Sequence, residues 1–236
     1  MIPTTVMTSL RAASLGLAML TAVAAPAVAQ NWEGSHQVRA GAFLQTGPTR
    51  FDATNNTTAA MGSGTINATG FGIAAGLEWL RAGAWTLGFE GDLGVNGGAK
   101  DIVGARFGAE YFASLRGRVG FYAREDWVLY GTGGFGAEGF KIENNGSTAA
   151  GAKVEKTLTG GVFGGGTEWH RGGTIFFAEY LRSNFGHSNA IVNSALGSTT
   201  YNVGGHTDAI RVGVKFKLGY DRFHDDIRSE RADPLK

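Results

Sequence analysis

The sequence predicts an all-β fold, an eight-stranded antiparallel up-and-down β-barrel that crosses a membrane by its strands. Three observations carry this expectation. The first is a two-faced hairpin over Tyr111–Phe140. Tyr111, Ala113, Leu115, Gly117, Val119 and Phe121 alternate with Phe112, Ser114, Arg116, Arg118, Gly120 and Tyr122. One face is apolar and the other carries two arginines, which is the period of a strand with two different environments. After the polar break Ala123-Arg124-Glu125-Asp126 the pattern restarts, with Trp127, Leu129, Gly131, Gly133, Phe135 and Ala137 against Tyr130, Thr132 and Glu138. Each run is about 11 residues, the length of a tilted strand that spans a bilayer. Aromatic residues end the apolar faces, as in the girdles of membrane barrels. The second observation is that the polar stretches between strands alternate long and short, as loops and turns do on the two sides of such a barrel. The third is that the less apolar faces collect balanced charge.

In chain order, the first strand runs over about His36–Gln45, with Val38, Ala40, Ala42 and Leu44 against Gln37, Arg39 and Gln45. A polar loop is predicted over Thr46–Thr69. Strand two sets Phe71, Ile73, Ala75, Leu77 and Trp79 against Gly72, Ala74, Gly76 and Glu78. A turn near Arg81–Ala84 leads to strand three, where Trp85, Leu87, Phe89, Gly91, Leu93 and Val95 oppose Thr86, Glu90 and Asp92. A second loop is predicted over Asn96–Ala109, before the hairpin that supplies strands four and five. A third spans Lys141–Lys156. Strand six, Thr157–Trp169, is rich in glycine, and a turn at His170–Gly173 gives strand seven through Phe176–Ser183. A fourth loop covers Asn184–Gly205. Strand eight alternates Ile210, Val212, Val214, Phe216 and Leu218 with Arg211, Gly213, Lys215 and Lys217.

The ends differ from this body. In residues 1–29, Arg11 precedes an apolar run that closes on Ala27-Val28-Ala29. This reads as a secretory signal peptide cut before Gln30. A retained anchor is the competing reading, and Pro26 with the small residues around it favours cleavage. The barrel is placed at 30–218. Residues 219–236, GYDRFHDDIRSERADPLK, are densely charged and read as a solvated periplasmic tail. The chain has 236 residues, 39 glycines, 4 prolines, no cysteine and a formal charge of +1. Disulfides and cysteine metal sites are thereby excluded, and no charge block points to nucleic acid.

The inward faces are expected to hold Glu78, Glu90, Asp92, Glu138, Glu168 and Glu179 with Arg39, Arg116, Arg118, Arg211, Lys215 and Lys217, six acids against six bases. Unpaired buried charge is costly, so a closed interior must pair them. Arg116 and Arg118 are expected to meet Glu90 and Asp92 as a ladder across adjacent strands. A soluble barrel would carry its apolar residues inside instead.

The segments GFEGD (Gly88–Asp92), SLRGRVGF (Ser114–Phe121), YGTGGFG (Tyr130–Gly136), GGGTEW (Gly164–Trp169), FFAEYL (Phe176–Leu181) and IRVGVKFKL (Ile210–Leu218) fall in order along the chain. Together they resemble the small outer-membrane β-barrels of alphaproteobacteria, the "porin family" or outer-membrane immunogenic proteins. Members usually close the last strand on an aromatic residue. Here Leu218 stands there, between Phe216 and Tyr220. The resemblance implies an outer-membrane location, no catalysis and no cofactor. It also implies outer-membrane lipids and the barrel-assembly machinery as partners, with loops exposed to host or envelope molecules. It leaves three functions open: a structural barrel with a charge-filled lumen, a narrow porin for ions or small solutes, and a surface protein binding a ligand such as haem.

Other motifs have plain readings. Gly131–Gly136 matches G-x-G-x-x-G but lies inside a strand pattern with no helix after it, which argues against nucleotide binding. His36, His170, His187, His206 and His224 show no ligand spacing, although His187 and His206 flank one loop. Asn55 and Asn145 open sequons that read as polar loop residues.

The outer face can be tested directly. Leu115→Arg, at the middle of an apolar face, is expected to cost about 2–4 kcal/mol in a refolding titration into lipid. An unchanged midpoint places Leu115 off the lipid face.

Overall fold

The computed structural model describes residues 37–218, except 57–58, 83, 103–104, 145–152 and 195–196. The expected signal peptide and charged tail lie outside the described residues. Nine strands follow one another: β1 (Gln37–Asn55), β2 (Ala60–Ala82), β3 (Trp85–Gly97), β4 (Ala99–Ile102), β5 (Ala105–Arg124), β6 (Trp127–Asn144), β7 (Lys153–Arg171), β8 (Thr174–Ser194) and β9 (Gly197–Leu218). All pairs are antiparallel, and the pairings β1–β9 and β3–β5 close the sheet on itself. β4 continues β3 along the same edge of β5, so nine strands build eight staves. The break between them is at Gly98, with φ +142°, where a Cβ would lie 2.9 Å from the Ile66 side chain. At the β7–β8 turn Gly172 takes φ +56°. The conformation at Gly98 suits glycine alone, and the left-handed one at Gly172 favours glycine, although Ala59 also adopts it at φ 57°.

The strands are far longer than a bilayer requires. β2 has 23 residues and β9 has 22, against about 9–11 for a tilted membrane strand. The four predicted loops are therefore corrected. Thr46–Thr69 is strand up to Asn55 and again from Ala60, and Asn184–Gly205 is strand up to Ser194 and again from Gly197. In the same way Asn96–Ala109 is largely β3, β4 and the start of β5, and much of Lys141–Lys156 belongs to β6 and β7. Asn and Gly at these positions have a weak strand preference, but the sheet ladder holds them in place.

What changes along each strand is polarity. Outward from β1 come Ala42 and Leu44, then Thr46, Arg50 and Asp52; inward come Arg39, then Phe51 and Ala53. On β9 the outward series passes from Phe216, Val212 and Ile210 to Asp208 and His206, and the inward series from Lys215 and Arg211 to Val203 and Tyr201. The lower half is apolar outside and charged inside. The upper half is polar outside and apolar inside, like a soluble barrel. Its core contains Phe51, Ile66, Phe107, Phe140, Ile142, Leu158, Tyr201 and Val203. Phe51 meets Phe140 edge-on with ring centroids 4.7 Å apart.

Two bulges keep the inner face inward. Below Glu110 the buried residues of β5 are even-numbered (Phe112, Arg116, Arg118); above it they are odd (Ala105, Phe107, Ala109). The bulge between Phe185 and Ser188 shifts β8 likewise, from Leu181 and Phe185 to Ala190. One extra residue reverses the facing of everything beyond it. The β1–β9 ladder skips Gly47 and Pro48, as proline has no N–H to give.

The outer belt of the lower half is exposed and apolar, with Leu115 and Val119 in its middle and Leu129, opposite Phe121, nearer its short-turn end. Trp85 and Phe121 (ring centroids 5.1 Å apart) and Trp169 and Phe176 (6.4 Å) gird its short-turn end.

The upper core should matter as much as the membrane belt. Phe107→Ala is expected to cost about 3–5 kcal/mol in urea unfolding, and an effect under about 0.5 kcal/mol removes Phe107 from a packed core. A protease added to intact cells should cut at the tips joining β1 to β2 or β8 to β9. Early cleavage within 46–55 or 184–194 contradicts the continued strands.

Candidate functional site: the barrel lumen

Inside the lower half, seven of the eight staves bring their inward charges to one axis. Arg39 of β1 meets Glu78 of β2 and reaches Glu168 of β7 at 2.8 Å. Arg118 of β5 also reaches Glu168, at 2.5 Å, and lies 3.5 Å from Glu90 of β3. Lys215 of β9 meets the same two acids, Glu90 directly and Glu168 at 3.3 Å. Arg116 is shared by three carboxylates: Glu90 at 3.1 Å, Asp92 at 2.8 Å and Glu179 of β8 at 2.8 Å. Arg211 completes the set beside Asp92 at 3.1 Å and Glu179 at 3.8 Å. These five acids and five bases form one connected mesh, and each is at least nine-tenths buried.

The register explains which pairs are local. Glu90 stands opposite Arg116. Asp92, however, faces Ser114, and Arg118 faces Gly88. The ladder expected between β3 and β5 forms all the same, through Arg116 with Glu90 and Asp92 and Arg118 with Glu90, and Arg118 in addition reaches past β6 to Glu168.

Two of the twelve charged candidates lie at other levels of the bore. Glu138 is not in an ion pair among the described residues, which corrects the expectation for it. The Thr207 hydroxyl donates to its Oε2 at 2.8 Å and the Asn96 amide to its Oε1 at 3.3 Å. Glu138 sits one level above the bases, where the lumen is turning apolar. Lys217 lies half-buried at the opposite end, one inward step beyond Lys215.

Several members of the site carry no charge and were not singled out from the sequence. The Tyr130 ring lies 3.5 Å under the Arg118 guanidinium, and its hydroxyl donates to Glu179 at 3.2 Å. Phe43 and Phe112 flank Arg211, at 4.6 and 5.0 Å from ring centre to cation, and Phe177 lies 4.3 Å from the Lys215 ammonium. Ring faces attract cations, and more so where water is excluded. Gln45 accepts from Arg211 at 2.8 Å and donates to Asn96 at 2.6 Å, joining the mesh to Glu138. The signal was the shared face: each of these residues has the inward parity of a charged neighbour on its strand.

The histidines do not converge. His170 lies 3.4 Å from Glu168 at the short-turn end. The His187 ring lies against Gly204, and His206 faces Asp208 at 3.9 Å. His36 and His224 are outside the described residues. Among the described residues, no three His, Cys, Asp or Glu side chains form a metal-binding group.

Comparison with known proteins agrees with this architecture. A family model described as "Outer membrane protein beta-barrel domain" matches residues 15–221. The 31 kDa outer-membrane immunogenic protein of Brucella melitensis is 32% identical over 173 residues, covering 66% of this chain and 70% of the relative. The Brucella suis protein of the same name matches to the same extent. Among solved structures, the outer membrane protein OprG of Pseudomonas aeruginosa is similar in fold, with a TM-score of 0.54 at 12% identity over 79% of this chain and 97% of that one. With its apolar belt outside, its charges inside and the family match spanning every strand, this chain belongs to the outer-membrane β-barrel protein family and resides in the outer membrane.

Proposed function

We propose that this protein is a structural element of the outer membrane, a closed barrel that holds a surface-exposed extension rather than a conduit for solutes. The observation that supports the reading is the double filling of the bore. The ion-pair mesh occupies the membrane level, and the apolar core that includes Phe51, Phe107 and Phe140 occupies the level above. The bore of an eight-stranded barrel is narrow enough for its own side chains to fill. An ion entering from one end would meet a packed hydrocarbon; from the other it would have to displace charges already satisfied. The reading assigns no reaction to the buried carboxylates. Its partners are the lipids around the apolar belt and whatever meets the tips of the long hairpins.

A narrow porin is the reading to exclude, and conductance separates the two. The refolded wild type should show no steady current in planar bilayers. Arg118→Ala should lower unfolding stability by about 3–5 kcal/mol, because Glu168 and Glu90 then lose a buried partner. A steadily conducting wild type, with an Arg118→Ala variant that alters ion selectivity at an unchanged urea midpoint, would overturn the closed barrel.

The mesh makes a second prediction. Arg116→Lys keeps the charge but cannot serve three carboxylates through one planar fork. It should destabilise the barrel nearly as much as Arg116→Ala in the same titration. Full recovery by lysine would show that charge alone matters there.

A further inference from the structure

Between the ion-pair mesh and the apolar core lies a small chamber of about 20 Å³. Its polar wall includes Asp92, Ser114, Glu138, Ser183, Thr207 and Arg211; Val162, Leu181 and Ala209 form part of the apolar wall. Asp92 is 3% exposed. Its Oδ2 takes Ser114 at 2.6 Å, Arg116 at 2.8 Å and Arg211 at 3.1 Å. Among the described residues its Oδ1 meets no donor. A buried carboxylate oxygen in that position needs a donor.

We propose that this chamber is a binding site for one buried water molecule, which donates to Asp92 Oδ1. The size fits, since a water needs roughly 10–15 Å³ measured in this way and two to four polar partners. The chemistry of the wall selects among guests of that size. The Arg211 guanidinium disfavours a cation. The carboxylates of Asp92 and Glu138 disfavour an anion. A neutral molecule that both donates and accepts suits the wall, and its second hydrogen is left for Ser183 or for the Glu138–Thr207 pair. The site joins the two halves of the lumen, since Asp92 belongs to the mesh and Thr207 lies 3.0 Å from Thr49, two residues before Phe51 of the apolar core.

The inference rests on the closed barrel, because in an open pore such a water would exchange freely. The test uses the full chain, refolded in detergent micelles and labelled at valine and leucine methyls. NOE and ROE cross-peaks between water and the methyls of Val162 and Leu181 should have opposite signs, the signature of a held water. Ala209→Val puts two methyls into the chamber and leaves the Thr207 hydroxyl in place. It should abolish those cross-peaks and lower the urea midpoint. A raised midpoint means that the added methyls filled a dry cavity, and it overturns the proposal. So does retention of the cross-peaks in the variant. A midpoint that shifts when sodium chloride is replaced by choline chloride at equal concentration overturns it in favour of a cation. A closed wild type without the cross-peaks refutes the water alone, whereas a conducting wild type without them refutes the closed barrel as well.

Discussion

The structure depends on one constraint: charges inside a narrow bore must satisfy one another, because there is little water and no room to leave. Taking a carboxylate or guanidinium out of water costs several kcal/mol unless partners replace the solvent. Here Glu168 shows how they do. It sits on β7 and is reached by Arg39 from β1, Arg118 from β5 and Lys215 from β9. None of those strands is hydrogen-bonded to β7, whose neighbours are β6 and β8. A pair between adjacent strands can stabilise an isolated hairpin. A pair that skips strands needs the sheet to curl, and Arg39 comes within reach of Glu168 only when β1 has paired with β9 and closed the ring. The mesh therefore rewards closure specifically, and a half-built sheet would carry these charges with their main partners missing.

The same constraint explains why polarity reverses along the strands. At the membrane level the outer wall must be apolar, so the charges that balance the bore have nowhere but the inside. Above that level water surrounds the barrel. Arg50, Asp52, Lys141 and Glu143 can then face outward, and the interior is free to take Phe51, Phe107, Phe140 and Ile142. The changeover falls near Leu44–Thr46 on β1 and Asp208–Ile210 on β9, which the register places side by side. The bulges at Glu110 and beyond Phe185 lie close to it on β5 and β8. They are positioned where a strand must reset which residues it buries.

This reversal is why the sequence was legible in one half and misread in the other. The period-2 pattern of Leu115, Val119 and Leu129 against Arg116 and Arg118 requires no tertiary information. Above the belt, the inward apolar residues are sparse and their partners are Asn, Thr, Gly and Ser, the composition of loops. Phe51 and Ala53, or Phe140 and Ile142, do alternate with polar residues, but two apolar positions are too few to distinguish a strand from a loop. The bulges hid the pattern further, because Phe107 and Phe112 belong to one inner face at positions of opposite parity. For the lumen, residue type and facing pointed to the charged residues. Which acid met which base could not be read, since pairs such as Arg39 with Glu168 depend on the diameter and stagger of the closed ring. Glu138 has the right facing but the wrong height, and height along the bore leaves no mark in the sequence.

Height and width also account for the inward glycines. The long charged side chains stand beside glycine on a neighbouring strand: Arg39 and Glu90 beside Gly76, Arg118 and Glu78 beside Gly88, Lys215 beside Gly41, Arg116 beside Gly134 and Glu179 beside Gly166. Alternating large and small residues is how a small barrel fills a tapering interior without overlap. The fit is tight at the backbone itself. A Cβ at Gly134 would lie 2.1 Å from the Leu115 carbonyl oxygen, and one at Gly41 would lie 2.0 Å from that of Val214. Both oxygens belong to the sheet and cannot swing aside as a side chain could. The glycines thus set the curvature that brings opposite walls within reach, and the charged side chains occupy the space those glycines leave. Neither group would serve without the other. A wider bore would leave Arg118 short of Glu168, and an alanine at Gly134 would press the strands apart at the level where Arg116 gathers its three acids.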